Sequence, residues 1–350
     1  MNFNIFDRKI GDNYPCLIIA ELSANHKQNF DVAVETIKAA KKAGADAVKL
    51  QTYTADTITI NSNKPDFLIP STSPWASYKK LHNLYDEAHT PWEWHDELFK
   101  LGKEIGIYVF SSPFDQSAVD FLEDLNCPIY KIASPEITDI PLLKYIAQKS
   151  KPVIISTGIA EYQDINLAID TLKYNGCNEF AILKCTSEYP TPFNMVNLKA
   201  MLNYKNDFDC IYGLSDHTIG DEVCVAAVAL GARIIEKHFV VDKTEESLDS
   251  FFSLDFHEFK SMVTKVRNIE IAMGSSSYSV PEKLKIKLST RRSLYACKKI
   301  NKGELITTDN VKSVRPGHGL HPKYLEQILG KKVNKNLKIG DRLSLDCFDI

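Results

Sequence analysis

The 350-residue sequence lacks several features that mark large classes of proteins. Its eight cysteines include no CxxC pair and no metal-type spacing, so they give no sign of a cysteine-based metal site. No stretch approaches the ~20 uninterrupted apolar residues of a membrane span, and the N-terminal segment MNFNIFDRKIGDNY lacks the apolar centre of a signal peptide. A GxGxxG turn, an internal repeat and a low-complexity tract are also missing.

The sequence also lacks a large excess of charge of either sign. The net charge is only −3, and the basic residues are dispersed, which argues against a nucleic-acid or membrane-surface partner. The densest basic group, Lys283 to Lys287 with Arg291 and Arg292, is typical of a solvated linker. Several cysteines lie inside apolar runs, so we expect reduced core residues in a cytoplasmic protein.

From Pro15 onward, apolar strand-like runs alternate with amphipathic helix-like segments. The eight strand candidates are CLIIAELS, AVKLQTY, IYVFSSP, PIYKIAS, PVIISTG, FAILKCTS, CIYGLSDH and RIIEKHF. Eight such units in about 260 residues predict an α/β fold, a closed (β/α)₈ TIM barrel. A doubly wound open sheet is the structural alternative.

Two segments depart from this alternation. The connection Thr54–Pro91, which contains Trp75 and Tyr85, is unusually long and is either a substrate-binding loop or a tolerated surface insertion. After Gly274 the sequence becomes polar and rich in turn residues, and the last sixty residues contain short β-like pieces. We therefore predict a barrel at 1–274, a linker at 275–289 and a small β-rich domain at 290–350.

Polar side chains gather where the strand candidates end. His217 and His238 close the seventh and eighth runs, and imidazoles at neighbouring strand ends can share a divalent metal ion. Two unrelated structural histidines are the alternative. An anion site is indicated by two lysines and four serines at the other strand ends, Lys49, Lys131, Ser112, Ser134, Ser156 and Ser215. Glu21 and Glu136 can supply acid–base groups beside it.

These residues leave other functions open. A lysine in a barrel can form a Schiff base, as in an aldolase, and Lys49, Lys131 and Lys184 are candidates. A non-catalytic sugar-binding protein is a further alternative.

Several motifs resemble the N-acetylneuraminate (sialic acid) synthase family. They are IAELSANH, GADAVKLQTY, FSSPFD, YKIASPE, STGIA, KCTSEYPTP, GLSDHT, ALGARIIEKHF and VRPGHG, and they cover nearly the whole chain. The forms ELSANH, ASPE, STSPW and TPWEWH are more similar to the pseudaminic acid synthase branch. The resemblance implies a barrel followed by an antifreeze-protein-like (SAF) domain, a domain-swapped homodimer, and condensation of phosphoenolpyruvate with an open-chain N-acetylated amino sugar.

The resemblance also implies a role for individual residues. His217 and His238 would hold a divalent metal ion, Mn²⁺ or Mg²⁺, and Glu21 would act in catalysis beside them. The phosphoenolpyruvate site would comprise Lys49, Ser112, Lys131, Ser134, Ser156, Ser187 and Ser215. The sugar side would comprise Glu136, Tyr189, Glu236, Asp249 and Arg315, the last from the partner subunit. Ser112 stands where relatives often have threonine, and Ser187 where sialic acid synthases have asparagine.

The acceptor sugar separates the branches of this family. The favoured expectation is 2,4-diacetamido-2,4,6-trideoxy-L-altrose, with N-acetylneuraminate or legionaminic acid synthesis as the alternative. The long connection Thr54–Pro91 and the SAF domain are expected to decide this choice.

Overall fold

The computed structural model describes residues 2–348. The chain divides into two compact units, Met1–Gly274 and Ser275–Ile350. Within residues 2–348, no helix is long and apolar enough to cross a membrane. All eight cysteines are free and seven of them are buried, which confirms the prediction that they are core residues.

An N-terminal hairpin precedes the barrel. Strand β1, Asn2–Ile5, pairs antiparallel with β2, Arg8–Gly11, and its side chains Phe3 and Ile5 are buried. Phe6, in the turn, stacks on Tyr108 at a ring distance of 4.0 Å. The hairpin thus packs at the amino end of the barrel strands. Sequence analysis did not assign it, because four-residue strands contain too few positions to show a period.

Eight parallel strands close into a barrel, as predicted. They are β3 Leu17–Glu21, β4 Ala47–Thr52, β5 Tyr108–Pro113, β6 Tyr130–Ile132, β7 Val153–Ser156, β8 Phe180–Lys184, β9 Ile211–Asp216 and β10 Ile234–His238. Each pairs with the next in chain order, and β10 pairs with β3 to complete the ring. The carboxyl ends of all eight strands therefore meet at one mouth.

Helices follow the strands, and most of them cover the outside of the barrel. They are α1 Phe30–Ala43, α2 Ala55–Ile58, α3 Leu81–Ala88, α4 His95–Ile105, α5 Gln116–Asp124, α6 Ile140–Ala147, α7 Tyr162–Tyr174, α8 Asn203–Phe208, α9 Glu222–Ala229 and α10 Phe256–Met273. Of these, α2 and α3 lie in the long connection after β4. Local chemistry sets their ends. Asn29 caps α1 by accepting from the backbone N–H of Asp31 at 2.9 Å, and Gly44, at φ +96°, ends it.

The segment before β9 is less regular than its apolar pattern indicates. The stretch Val196–Tyr204 has helical periodicity, but the chain forms two 3₁₀ segments, Phe193–Met195 and Leu198–Leu202, before α8 begins. Asn197, between them, adopts a left-handed conformation with φ 47°, which interrupts a continuous helix.

The second unit is small and has its own core. Within it, β11 Ser293–Ala296 pairs antiparallel with β12 Val311–Val314, and α12 spans Leu325–Ile328. Its core contains Leu294, Ile300, Val311, Leu337 and Leu343. The segment predicted as a linker includes a short helix, α11 Glu282–Lys285, followed by a 3₁₀ turn.

A buried ion pair joins the last two barrel strands. Lys237 Nζ lies 2.5 Å from Asp216 Oδ2, and both side chains have almost no exposure to solvent. Lys237 also donates to the backbone oxygen of Thr218, while Asp216 accepts from the Thr218 hydroxyl at 3.0 Å. Because strand side chains alternate, Lys237 faces the opposite side of β10 from Glu236 and His238. This pair therefore links the ends of β9 and β10 on the face opposite Glu236 and His238.

We expect Lys237→Met to lower the free energy of unfolding by about 3–5 kcal/mol, because it leaves the Asp216 carboxylate buried without a counter-charge. The measurement is denaturant unfolding. The double variant Asp216→Asn/Lys237→Met should recover much of the loss, since both charges are then gone. A single variant as stable as the wild type would contradict this account.

Candidate active site

Strand register brings the predicted polar residues to one level of the barrel mouth. Glu21 on β3 lies in register with Lys49 on β4 and with His238 on β10. Ser215 on β9 lies in register with Glu236 on β10. Since β10 alternates its side chains, Glu236 and His238 share the inward face.

Two lysines and two glutamates form a chain of charges inside the mouth. Lys49 Nζ lies 2.8 Å from Glu21 Oε2 and 3.9 Å from Glu236 Oε1. Lys131 Nζ lies 3.9 Å from the same Glu236 oxygen. Ser215 donates to that oxygen at 3.0 Å. All four charged side chains are at most 6% exposed, so water does little to offset their desolvation.

Burial shifts the pKa values of these groups in different directions. It raises the pKa of Glu21 to about 7 against the opposing pull of Lys49, and it lowers the pKa of Lys131. For Lys49 and Glu236, burial disfavours the charged form, but the attraction of oppositely charged neighbours is stronger. The pKa of Lys49 is therefore raised and that of Glu236 is lowered. Lys49 is therefore held as an ammonium ion and Glu236 as a carboxylate.

Hydroxyl groups surround the two ammonium groups. Lys131 Nζ donates to Ser156 Oγ at 2.6 Å, and Lys49 Nζ donates to Ser112 Oγ at 3.3 Å. Gly158 lies so close to two of the serines that no side chain fits there. A Cβ atom at this position would lie 2.2 Å from Ser187 Oγ and 2.8 Å from Ser134 Oγ. The Gly158 N–H donates to Ser134 Oγ at 2.9 Å. Ammonium and hydroxyl donors of this kind suit a small, multiply charged anion.

The two predicted histidines lie beside this cluster. The rings of His217 and His238 are 5.2 Å apart. Tyr189 packs on His217 at 4.4 Å, and Phe252 packs on His238 at 4.6 Å. The two aromatic rings limit the orientations available to the imidazoles.

The nitrogen atoms of the histidines fit a metal ion. His217 Nδ1 lies 2.9 Å from the Thr186 backbone oxygen, so it is the protonated nitrogen and leaves Nε2 free to bind. His238 Nδ1 is buried and, among the described residues, has no hydrogen-bond partner. Over residues 2–348, no group of three or more His, Cys, Asp or Glu has the arrangement of a metal site. The chain thus offers two imidazole ligands, and water or substrate would have to complete the coordination shell.

A cavity of about 430 Å³ opens next to His238. Its polar side is lined by Ser23, Gln51, His238 and Asp249. Ser23 Oγ donates to Asp249 Oδ2 at 2.6 Å, and Gln51 Nε2 donates to Glu21 Oε1 at 2.9 Å. The cavity therefore adjoins both the histidine pair and the charged chain. A larger cavity of about 680 Å³ involves Arg8 and Asp46 at the amino end of the barrel, away from these groups.

The structure brings the predicted site residues of the first unit to this mouth. Arg315 belongs to the second unit, follows β12 and is exposed. Sequence analysis did not single out Phe252 or assign a role to Gln51. Phe252 lies in a loop that shows no period, whereas Gln51 shares a strand face with Lys49, so alternation was the signal that could have identified it.

A closed barrel with buried charges at its carboxyl mouth places the protein among the (β/α)₈ enzymes. Comparison with known proteins narrows this class, because the chain belongs to the NeuB family, whose model matches residues 36–278. The SAF domain model matches residues 291–349. The resemblance inferred from the motifs is thereby confirmed.

Individual relatives cover nearly the whole chain. It is 48% identical over 342 residues to the pseudaminic acid synthase of Campylobacter jejuni subsp. jejuni serotype O:2, covering 98% of this chain and 97% of the relative. It is 44% identical to that of Helicobacter pylori, covering 95% and 97%. A crystal structure of N-acetylneuraminic acid synthetase from Leptospira borgpetersenii serovar Hardjo-bovis superimposes with a TM-score of 0.74 at 30% identity, covering 82% of this chain and 95% of that one.

The shifted pKa of Glu136 makes the stability of the folded protein depend on pH. Burial raises its pKa from 4.5 to about 7, with Asp139 adding to the shift and Lys131 and Lys49 opposing it. The folded protein therefore binds this proton more tightly than the unfolded chain does. The resulting stabilisation is fully present below about pH 4.5, declines as the pH rises and is lost above about pH 7.

We expect Glu136→Gln, which mimics the protonated acid, to match the wild type in melting temperature near pH 4.5 and to exceed it at pH 8. Thermal unfolding across this range is the measurement. Glu35→Gln, on the exposed face of α1, is the control and should show no such trend. A Glu136→Gln difference that is constant with pH would show that Glu136 titrates normally.

Proposed function

We propose that this protein is a pseudaminic acid synthase. In this reaction phosphoenolpyruvate condenses with open-chain 2,4-diacetamido-2,4,6-trideoxy-L-altrose and water, and the products are pseudaminic acid and phosphate. The observation that carries the proposal is the single barrel mouth that combines the Lys49–Lys131 anion pocket with the His217–His238 pair. The near full-length similarity to pseudaminic acid synthases supports this choice of acceptor.

Phosphoenolpyruvate fits the charged pocket. Its phosphate and carboxylate groups need several cationic and hydroxyl donors within one small volume. The proposed donors are Lys49, Ser112, Lys131, Ser134, Ser156, Ser187 and Ser215. Binding of this anion would give the buried ammonium groups of Lys49 and Lys131 further counter-charge, which favours their charged forms.

His217 and His238 are the proposed ligands of a divalent metal ion, Mn²⁺ or Mg²⁺. When bound there, such an ion supplies a Lewis acid for the acceptor's aldehyde oxygen. The residues around it do the positioning. Thr186 orients His217 through its backbone oxygen, and Phe252 and Tyr189 pack against the rings.

The reaction forms a carbon–carbon bond and a carbon–oxygen bond to water, and it breaks the carbon–oxygen bond between C2 and the phosphate group. C3 of phosphoenolpyruvate attacks the aldehyde carbon, and positive charge develops at C2. The carboxylate of Glu21, beside Lys49, stabilises that charge or accepts the proton of the water that adds to C2. The tetrahedral product then expels phosphate, which Lys49 and Lys131 stabilise as it leaves.

The acceptor sugar fits the adjoining cavity. Asp249, Glu136, Glu236 and Tyr189 are the proposed contacts to its hydroxyl and acetamido groups. Asp249 Oδ2 is 3.8 Å from His238 Nδ1, so an acceptor held by Asp249 would present its aldehyde next to the histidine pair.

A phosphate-release assay tests the proposal, with phosphoenolpyruvate and each candidate sugar. We expect release with the altrose derivative. Release with N-acetylmannosamine and not with the altrose derivative would instead indicate an N-acetylneuraminate synthase. Borohydride trapping of a pyruvyl adduct on Lys49, Lys131 or Lys184 would indicate a Schiff-base aldolase, and saturable sugar binding without turnover would indicate a binding protein.

The metal ligands have a direct test. We expect His217→Ala and His238→Ala to lower turnover at least ~100-fold and to abolish Mn²⁺ binding measured by calorimetry, because each removes an imidazole ligand. His257→Ala, on the exposed face of α10, is the control. Normal Mn²⁺ affinity in either active-site variant would refute the assignment.

We further propose that the protein works as a domain-swapped homodimer in which Arg315 completes the site of the partner subunit. The exposure of Arg315 on the second unit is consistent with a contact made outside its own chain. In such a dimer, a hybrid of one His217→Ala chain and one Arg315→Ala chain contains one intact site.

Mixing these two inactive variants under conditions that exchange subunits should therefore restore about a quarter of wild-type activity. The matched control pairs His217→Ala with His238→Ala. Both lesions then lie in barrels, so no hybrid has an intact site. Failure of the Arg315 mixture to regain activity, with exchange verified, would exclude a site shared between subunits.

A further inference from the structure

The long connection between β4 and α4 forms one wall of the acceptor cavity. Helix α3 lies in this connection, and its residues Leu81, Leu84, Tyr85 and Ala88 all line the cavity. Their spacing of i, i+3, i+4 and i+7 places them on one face of the helix. Such an apolar face normally packs into a core. Here none of the eight residues of α3, all of them described, is fully buried.

The connection that carries this wall also contacts the loop after β10. Trp75 Nε1 donates to the backbone oxygen of Leu248 at 3.0 Å. The indole also packs edge-on against Tyr189 at 5.9 Å and Phe251 at 6.1 Å. Leu248 directly precedes Asp249 in the loop after β10. The connection is therefore tied to the loop that carries a polar residue of the site.

The lining of the cavity is of two kinds. Gln51, His238 and Asp249 are polar, whereas α3 contributes the aliphatic side chains of Leu81 and Leu84 and the ring of Tyr85. An open-chain hexose has its aldehyde carbon at one end and C6 at the other. With its aldehyde next to His238, the sugar has its C6 end available for contact with the other lining residues of the cavity, those of α3 among them.

We infer that the apolar face of α3 is completed by the acceptor itself, and that Leu81 and Leu84 select a sugar with a methyl group at C6. This inference rests on the proposed function and assigns the residues that determine its acceptor. Transfer of a methyl group from water to an aliphatic surface lowers the free energy of binding. A C6 hydroxyl packed against these two side chains would lose hydrogen bonds to water, because neither leucine offers a partner in return.

The test compares two acceptors, the 2,4-diacetamido-6-deoxy sugar and its 6-hydroxy counterpart, by kcat/KM for phosphate release. We expect the wild type to prefer the 6-deoxy sugar by ~10- to 200-fold, the range that one apolar contact supplies. Leu84→Asn places an amide at the wall, so it should reduce this preference at least ~5-fold, mainly through KM.

Matched variants separate selectivity from damage to the fold. Leu84→Met keeps an apolar wall and should retain the preference. Leu81→Asn, one helical turn away, should act in the same direction as Leu84→Asn. Leu68→Asn makes the same change in the same connection at a residue that is 42% exposed and does not line the cavity, and it should leave both kcat/KM values unchanged.

The outcomes distinguish the inference from the proposed function. An unchanged preference in Leu84→Asn and Leu81→Asn, with normal thermal unfolding, would overturn the inference alone. An equal loss of kcat/KM with both acceptors would also overturn the inference, because it would show that the wall does not discriminate between the two sugars. Absence of phosphate release by the wild type with either sugar would overturn the proposed function and this inference with it.

Discussion

The site depends on charges that the barrel keeps away from water. Glu21, Lys49, Lys131 and Glu236 lie in one chain of contacts, and a buried chain of this kind is a poor source of stability because desolvation offsets the attraction. The buried charges matter instead for the chemistry of the site. In a site of low polarity, fixed ammonium groups attract an anion more strongly than they would in water, and they need little rearrangement when charge moves during a reaction.

The barrel can hold these charges because its closed parallel sheet fixes their register. Glu21, Lys49 and His238 occupy equivalent levels on three strands that are neighbours only when β10 pairs with β3. The Asp216–Lys237 pair stabilises β9 and β10 from the other face. The placement of the histidine pair at the ends of β9 and β10 therefore follows from strand pairing.

Loops add what the strands cannot provide. Phe252 and Tyr189 enclose the histidines, while α3 and Trp75 turn a long connection into a wall. The same barrel mouth can accept different sugars if this wall changes, because the anion pocket and the histidines lie on other elements. In the proposed function, the residues of the anion pocket and the wall formed by α3 therefore belong to separate elements of the chain.

Local sequence determined the eight strands, most of the helices and the set of polar residues at the strand ends, because apolar periodicity and capping act within a few residues. Tertiary structure decided which of those polar residues touch. Alternation predicted that Glu236 and His238 share a face, but the contact of Glu236 with both lysines depends on closure of the ring. The position of α3 beside the cavity and the partial burial of Glu136 likewise depend on distant segments, whose packing no local pattern encodes.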